Sequence, residues 1–140
     1  PILAEKPFPK AKVASFSVRI DKTDGNSHIM IGICPTSLKG TTQGLYSLNG
    51  CITLYGNNTC SIYNKGGASS LNFIPMSIGT IIKVQMDFNQ KKVSFFYDDT
   101  LLKVIDLDPN FLQGDYYPFV ELYTTNDKVS FVDYEEEDPQ

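Results

Sequence analysis

A chain of 140 residues with 41% hydrophobic and 20% charged side chains is long enough to bury one core and too apolar to stay disordered. Its net charge of −4, from 12 Lys and Arg against 16 Asp and Glu, excludes non-specific nucleic-acid binding, which needs a cationic surplus to neutralise phosphate. No apolar run approaches the ~20 residues that span a bilayer as a helix, and no secretory signal is visible.

The chain opens on Pro1 rather than Met, which fits an excised domain or a processed product. Residues 1–11 hold three prolines and no period, and read as an extended lead-in lying across the surface. From Lys12 an alternation begins, with Ala14, Phe16, Val18 and Ile20 on one side and Ser15, Ser17 and Arg19 on the other, the pattern of a half-buried strand. The turn cluster DKTDGNS (21–27) follows, then a short apolar strand over 29–34 that contains Gly32. PTSLKGTTQ (35–43) is polar and aperiodic, a loop. Three short runs at 44–48, 51–55 and 61–63 read as strands, separated by Asn49-Gly50 and Gly56-Asn57-Asn58. NKGGASSLN (64–72) reads as a second long loop.

The clearest strand is 81–88, where Ile82, Val84, Met86 and Phe88 alternate with Lys83, Gln85 and Asp87. Turns at Asn89-Gln90 and Asp98-Asp99 set off strands at 92–97 and 101–107. Asp tolerates positive φ less readily than Gly, so the Asp98-Asp99 corner is expected to be loose or of another type than Asn-Gly. Strands at 117–123 and 128–134 complete the count, and residues 135–140 read as a solvated, flexible acidic tail. About ten strands at this spacing, with no window of helical period, predict an all-β fold: an antiparallel sandwich of two packed sheets with short loops and little or no helix.

The chemistry-bearing residues are few. His28 is the lone histidine, it begins a strand beside a turn, and no nucleophile motif accompanies it, so a surface histidine is preferred over a general base. Cys34, Cys51, Cys60 and His28 lack the paired C-x-x-C spacing of a zinc site. Three cysteines are a poor disulfide framework; a Cys51–Cys60 bridge across a hairpin is left open, with reduced thiols in a cytoplasmic domain preferred. Asp21, Asp24 and Asn26 lack the Glu that would finish a calcium loop, and Asx turns account for them. The Asp98-Asp99 and Asp106/Asp108 carboxylates read as solvated turn residues rather than a glycosidase pair. No catalytic residue, metal or cofactor is expected.

Three stretches resemble the SPRY domain family: FSVRIDKTDGNSHIMIGIC (16–34), GTIIKVQMDFNQKKVSFFYDDTLLKVI (79–105) and YYPFVELYTTNDKVSF (116–131). The likeness spans about residues 12–134. The chain departs from the family at Ala14-Ser15-Phe16-Ser17, where a Tyr-Trp-Glu is common. Asp98-Asp99 replaces Asn-Gly, and Gly44-Leu45-Tyr46 replaces Gly-Trp. The resemblance implies a sandwich over 12–134 that serves as a non-catalytic interaction module, monomeric in isolation. It would bind a protein or peptide through loops at one edge, as a recruiting or scaffolding part of a larger parent protein such as a ubiquitin ligase. Tyr46 and Tyr123 match positions that border the family's peptide pocket, and the candidate loops 35–43, 64–72 and 124–127 add Pro35, Thr36, Lys39, Asn64, Lys65 and Thr124 as partner-binding candidates. A tyrosine supplies a large apolar body, a hydroxyl and few rotors to freeze. The alternative is a lectin-like sandwich binding carbohydrate, although the Trp platform usual in such sites has no counterpart in a chain without Trp.

Overall fold

A computed structural model describes residues 2–4, 6–23, 28–40, 44–56, 60–71, 76–107, 109, 114–122 and 126–138. The strands are β1 (Ile2–Leu3), β2 (Val13–Lys22), β3 (Ile29–Pro35), β4 (Ile52–Gly56), β5 (Cys60–Asn64), β6 (Gly67–Ser70), β7 (Ile81–Asp87), β8 (Lys92–Tyr97), β9 (Thr100–Asp106), β10 (Tyr116–Leu122) and β11 (Lys128–Glu137). Helical turns at Thr36–Leu38 and Leu45–Ser47 are 3-10. The strands form two antiparallel sheets, ordered β1-β10-β3-β4-β5-β6 and β11-β2-β7-β8-β9.

The alternation written in the sequence is what packs the sheets together. Ala14, Phe16, Val18 and Ile20 of β2, with Ile82, Val84 and Met86 of β7, face Ile29, Ile31 and Ile33 of β3 and Leu54 of β4 in one buried cluster. Period-two alternation sends the intervening residues to the outside of each sheet. Gly32 fixes how closely β3 approaches β4, since a Cβ there would lie 2.1 Å from the Ile52 carbonyl oxygen.

Four expectations are revised. Residues 44–48 are not a strand: Leu45–Ser47 coils into a 3-10 turn whose approach, Gly44, has φ 70°. Residues 64–72 are not a plain loop. Lys65 (φ 55°) and Gly66 (φ 78°) supply the two positive φ values of a type I′ hairpin, and β6 returns along β5. The sequence hid β6 because Gly67–Ser70 is small, exposed and without apolar alternation. The Asp98-Asp99 corner is not loose: Asp98 (φ 44°) and Asp99 (φ 69°) adopt the left-handed backbone that Asn-Gly would have taken. The Ile81 amide donates to the Asp98 carboxylate at 2.8 Å, which ties the corner to β7. Finally, Glu135–Glu137, expected in the flexible tail, pair with Val13–Ser15 as the last residues of β11. The lead-in also does more than cross the surface, because Phe8 is buried in the core and stacks 5.8 Å from Phe16.

Candidate functional site

The outer face of the six-stranded sheet is not left to solvent. Cys34, Cys51 and Phe119 point outward from three of its strands or their ends, and the excursion between β3 and β4, described over 36–40 and 44–50, folds over them with Leu45. These four residues form a second buried cluster. Leu38, Tyr46 and Leu48 pack around it, half-buried. The excursion is therefore a lid with its own small core.

That lid carries an aromatic cluster. Tyr55 of β4 and Tyr63 of β5 occupy outward positions, alternating with the core-facing Leu54 and Ile62. Tyr46 arrives from the 3-10 turn above them. Its ring centroid lies 5.0 Å from Tyr55 and 5.1 Å from Tyr63, and the latter two are 5.4 Å apart. His28 meets Tyr55 edge-on at 5.2 Å, and its Nδ1 hydrogen-bonds the Tyr55 hydroxyl. Such tilted contacts suit ring quadrupoles and hold each ring at a fixed angle. All three tyrosines are half-buried, so each keeps an accessible surface.

Glu121 of β10 sets the height of Tyr46. It is buried beneath the lid, and its two carboxylate oxygens accept the Gly44 and Tyr46 amides at 3.1 and 3.3 Å. These are amides at the start of a helical turn, which lack partners within the turn and welcome an anion. Ser47 Oγ adds a bond to the Gly44 carbonyl at 3.1 Å.

The sequence-derived candidates divide. Tyr46 sits in the cluster. Asn64 and Lys65 form the neighbouring hairpin turn, and a Cβ on Gly66 would lie 3.7 Å from the Ser47 carbonyl oxygen, so this turn abuts the lid. Thr36 and Lys39 lie at the other end of β3. The Thr36 amide and hydroxyl both donate to the Asp115 carbonyl, at 3.0 and 3.1 Å. Lys39 Nζ stands 4.1 Å from the Tyr117 ring centroid, a cation–π contact. Pro35 is buried opposite Tyr116 and presents no side-chain surface. Tyr123 and Thr124 lie outside the described residues. Tyr55, Tyr63, His28 and Glu121 were missed. Tyr55 and Tyr63 had a signal, since both take outward positions on adjacent short strands. Glu121 had none, because nothing local announces what a Glu within Phe119–Leu122 will meet.

Under the lid, Cys34 and Cys51 face each other. The hydrogen bond between them holds the Cys34 thiol below the ordinary range, with Lys39 adding to the effect against burial, and pushes Cys51 up. None of Cys34, Cys51 and Cys60 is in a disulfide. The open question of a Cys51–Cys60 bridge is answered by the pleat, for Cys51 belongs to the outer cluster and Cys60 to the inter-sheet core. Among the described residues no group of three or more His, Cys, Asp and Glu could hold a metal ion. None of their helices is long and apolar enough to cross a membrane. Asp98 and Asp99 are exposed on their turn, and Asp106 is exposed and bonds Lys92 at 2.9 Å. Asp24, Asn26 and Asp108 lie outside the described residues.

A double-layered antiparallel sandwich with a lidded outer face and an aromatic recess is the frame of a recognition domain, which presents fixed rings and loops on rigid strands. The SPRY domain profile matches residues 13–136, and the chain belongs to the SPRY domain family. Domains of this family generally mediate protein–protein interaction. Among solved structures it is similar to the SPRY domain of human HERC1 (TM-score 0.69, 16% identity, covering 99% of this chain and 81% of that one). It is also similar to the TRIM65 PSpry domain (TM-score 0.69, 12% identity, 94% and 69%). The alginate lyase AlyC3, solved in complex with dimannuronate, shares the fold more distantly (TM-score 0.62, 11% identity, 99% and 70%). No curated protein matches by sequence.

Proposed function

We propose that this domain captures an extended peptide or protein surface on the outer face of its six-stranded sheet, without catalysis, and delivers it to a ubiquitin ligase or scaffold in a cytoplasmic parent protein. The observation that carries the reading is the Tyr46–Tyr55–Tyr63 cluster. Three elements supply one ring each, the rings sit 5.0–5.4 Å apart, and Glu121 pins the 3-10 turn that carries Tyr46 from below. Rigid aromatic anchors already in place lose little entropy on binding, which is how a small surface reaches useful affinity. Asn64 and Lys65 would form the polar rim, and Thr36 and Lys39 would meet a longer ligand at the other end of β3. Tyr123 and Thr124, next along the chain after β10, would complete the rim. The three buried thiols, none of them in a disulfide, support a reducing compartment.

The test is affinity capture with the 140-residue chain, read by mass spectrometry and repeated with Tyr46→Ala and Tyr63→Ala. Each truncation should weaken capture of the same partner by about tenfold or more, as loss of a buried aromatic anchor does, while a folded domain persists. Unchanged capture by both folded variants would dismiss the site. The carbohydrate reading draws its support from the fold shared with AlyC3. A specific glycan-array signal that Tyr46→Ala abolishes would replace the peptide with a sugar.

A further inference from the structure

A second concave surface, which shares no lining residue with the tyrosine cluster, lies where the sandwich is open between the lead-in and β11. A groove of about 610 Å³ is lined there by Phe8, Phe16, Phe131 and Tyr134, with Asp133 and Glu136 on its rim. The groove exists because of a β-bulge. The pairing of β11 with β2 shifts register twice, between Lys128 and Val129 and between Phe131 and Asp133, and at the second shift Val132 has no partner. One extra residue shifts the pleat, so Phe131 and Tyr134, three apart, both turn toward the interior. Phe131 opposes Val18 and Tyr134 opposes Phe16, both core-facing positions. Yet β1, the facing edge strand, is only two residues long and leaves them 49% and 50% exposed. Two large rings on the inner face of a sandwich are thus half open to water, which is unusual for inward-facing aromatics.

We propose that this open edge is a docking groove for an extended peptide segment. The segment inserts one bulky apolar side chain among Phe8, Phe131 and Tyr134, and sets lysine or arginine side chains against Asp133 and Glu136. Charge selects the occupant. The rim carboxylates continue into Glu135, Glu137 and Asp138, while Lys6 is the one base among the described residues of the groove wall. Lys12 is already committed to Asp138. The Tyr134 hydroxyl donates to Glu136 at 2.9 Å, which holds that carboxylate at the rim. On the outer side of this edge, opposite Ser17 and Ser15, Asp133 and Glu135 also repel one another: Asp133 raises the Glu135 carboxyl, first by sharing a hydrogen bond and then by its charge, with Lys83 acting against the rise. An arriving cation relieves that repulsion. A second copy of the chain would worsen it, because two β11 edges laid side by side would bring five acidic residues of each against the other. The backbone of β11 is paired on one side only, so its other side can also bond an added strand.

The chain has no Trp, so a Trp-bearing probe reports its own burial without background. The 140-residue chain is titrated into acetyl-Lys-Lys-Trp-Val-Lys-amide and its inverse, acetyl-Glu-Glu-Trp-Val-Glu-amide. The cationic peptide should show a saturable blue shift that weakens with added salt. The anionic one should bind about tenfold more weakly, the combined effect of two or three exposed ion pairs. The double variant Asp133→Lys/Glu136→Lys changes only the rim and should reverse the preference. Phe131→Ala should weaken both peptides, and Tyr46→Ala should change neither, which separates this groove from the tyrosine site. The proposal falls if the folded chain gives no shift at millimolar peptide, or if both peptides bind alike. It falls too if the reversed rim leaves the preference intact, or if light scattering shows a dimer that the reversed rim dissolves.

Discussion

The two sheets turn different outer faces to the world. Outside the six-stranded sheet lie Cys34, Cys51, Phe119 and Glu121, all buried beneath the lid. Outside the five-stranded sheet lie Arg19, Lys83, Gln85 and Ser94, exposed or half-buried, with the small Ser15 and Ser17 buried between their neighbours; among the described residues no second hydrophobic layer covers them, and Lys83 lies across Phe96 with its Nζ 4.5 Å from the ring centroid. Both sheets alternate with the same period and share the same core. The difference is that one face has been given a second, thin hydrophobic layer. Such a layer holds loop side chains at fixed positions, which a wet face cannot do. It is therefore the covered face that carries the aromatic cluster.

If the lid is a packed layer, removing its keystone should cost as much as a hole in the main core. Phe119→Ala should lower stability by about 3–5 kcal/mol, similar to Phe95→Ala between the sheets, in urea unfolding followed by circular dichroism. A loss below about 1 kcal/mol, the scale of an ordinary surface substitution, would reduce the lid to a draped loop. The electrostatic half of the same comparison is Glu121. Glu121→Ala strips the Gly44 and Tyr46 amides of their acceptors under a lid that water does not readily enter, and should cost about 1–3 kcal/mol. Partner capture should fall along with it, because Tyr46 loses its support. Stability lost with capture intact would separate the lid's packing from recognition.

The inter-sheet core was legible because alternation is local: Phe16, Val18 and Ile20, or Ile82, Val84 and Met86, declare their inward face within one strand. The covered outer face was not legible for the same reason. Cys34 and Cys51 read as ordinary thiols and Phe119 as one more apolar residue, since a second layer depends on where residues 36–50 travel and no period records that path. Tyr46 could be singled out through a family likeness and Tyr55 and Tyr63 could have been found by their outward phase. Glu121 could not, because its partners are amides 75 and 77 residues away. Lys65-Gly66 escaped notice as a hairpin because β6 offers no apolar face to announce a strand.

The two type I′ corners sharpen the contrast at smaller scale. On the lidded sheet the corner places Gly66 in the left-handed region; on the open sheet Asp99 occupies it. A side chain in that region costs about 1 kcal/mol relative to glycine, somewhat less for Asp. Gly66→Ala should therefore destabilise by about 1 kcal/mol, and Asp99→Gly should stabilise by up to that amount, both read as shifts in the urea midpoint. Asp98 is unsuited to the same exchange because its carboxylate accepts the Ile81 amide. Equal signs for the two substitutions would mean that the corners are not equivalent.

The smallest effect belongs to the wet face, where electrostatics is screened. Asp21, at the end of β2, accepts the Ser130 hydroxyl of β11 and the Arg19 Nε, the latter at 2.7 Å. The Ser130 bond first, and the Arg19 bond second, hold its carboxyl below the usual carboxylate range. A carboxyl whose folded pKa lies below its unfolded value, near 3.9, stabilises the fold fully above that value and loses the contribution as pH falls through the folded one. Asp21→Asn should therefore melt slightly below the parent at pH 6, and the gap should close as the pH is lowered toward 3. Added salt should shrink the gap at pH 6, since the ion pair is open to solvent. A gap that stays constant with pH would mean that the aspartate acts through packing alone. The open face would then draw nothing from its charges, and would differ from the covered one in kind rather than in degree.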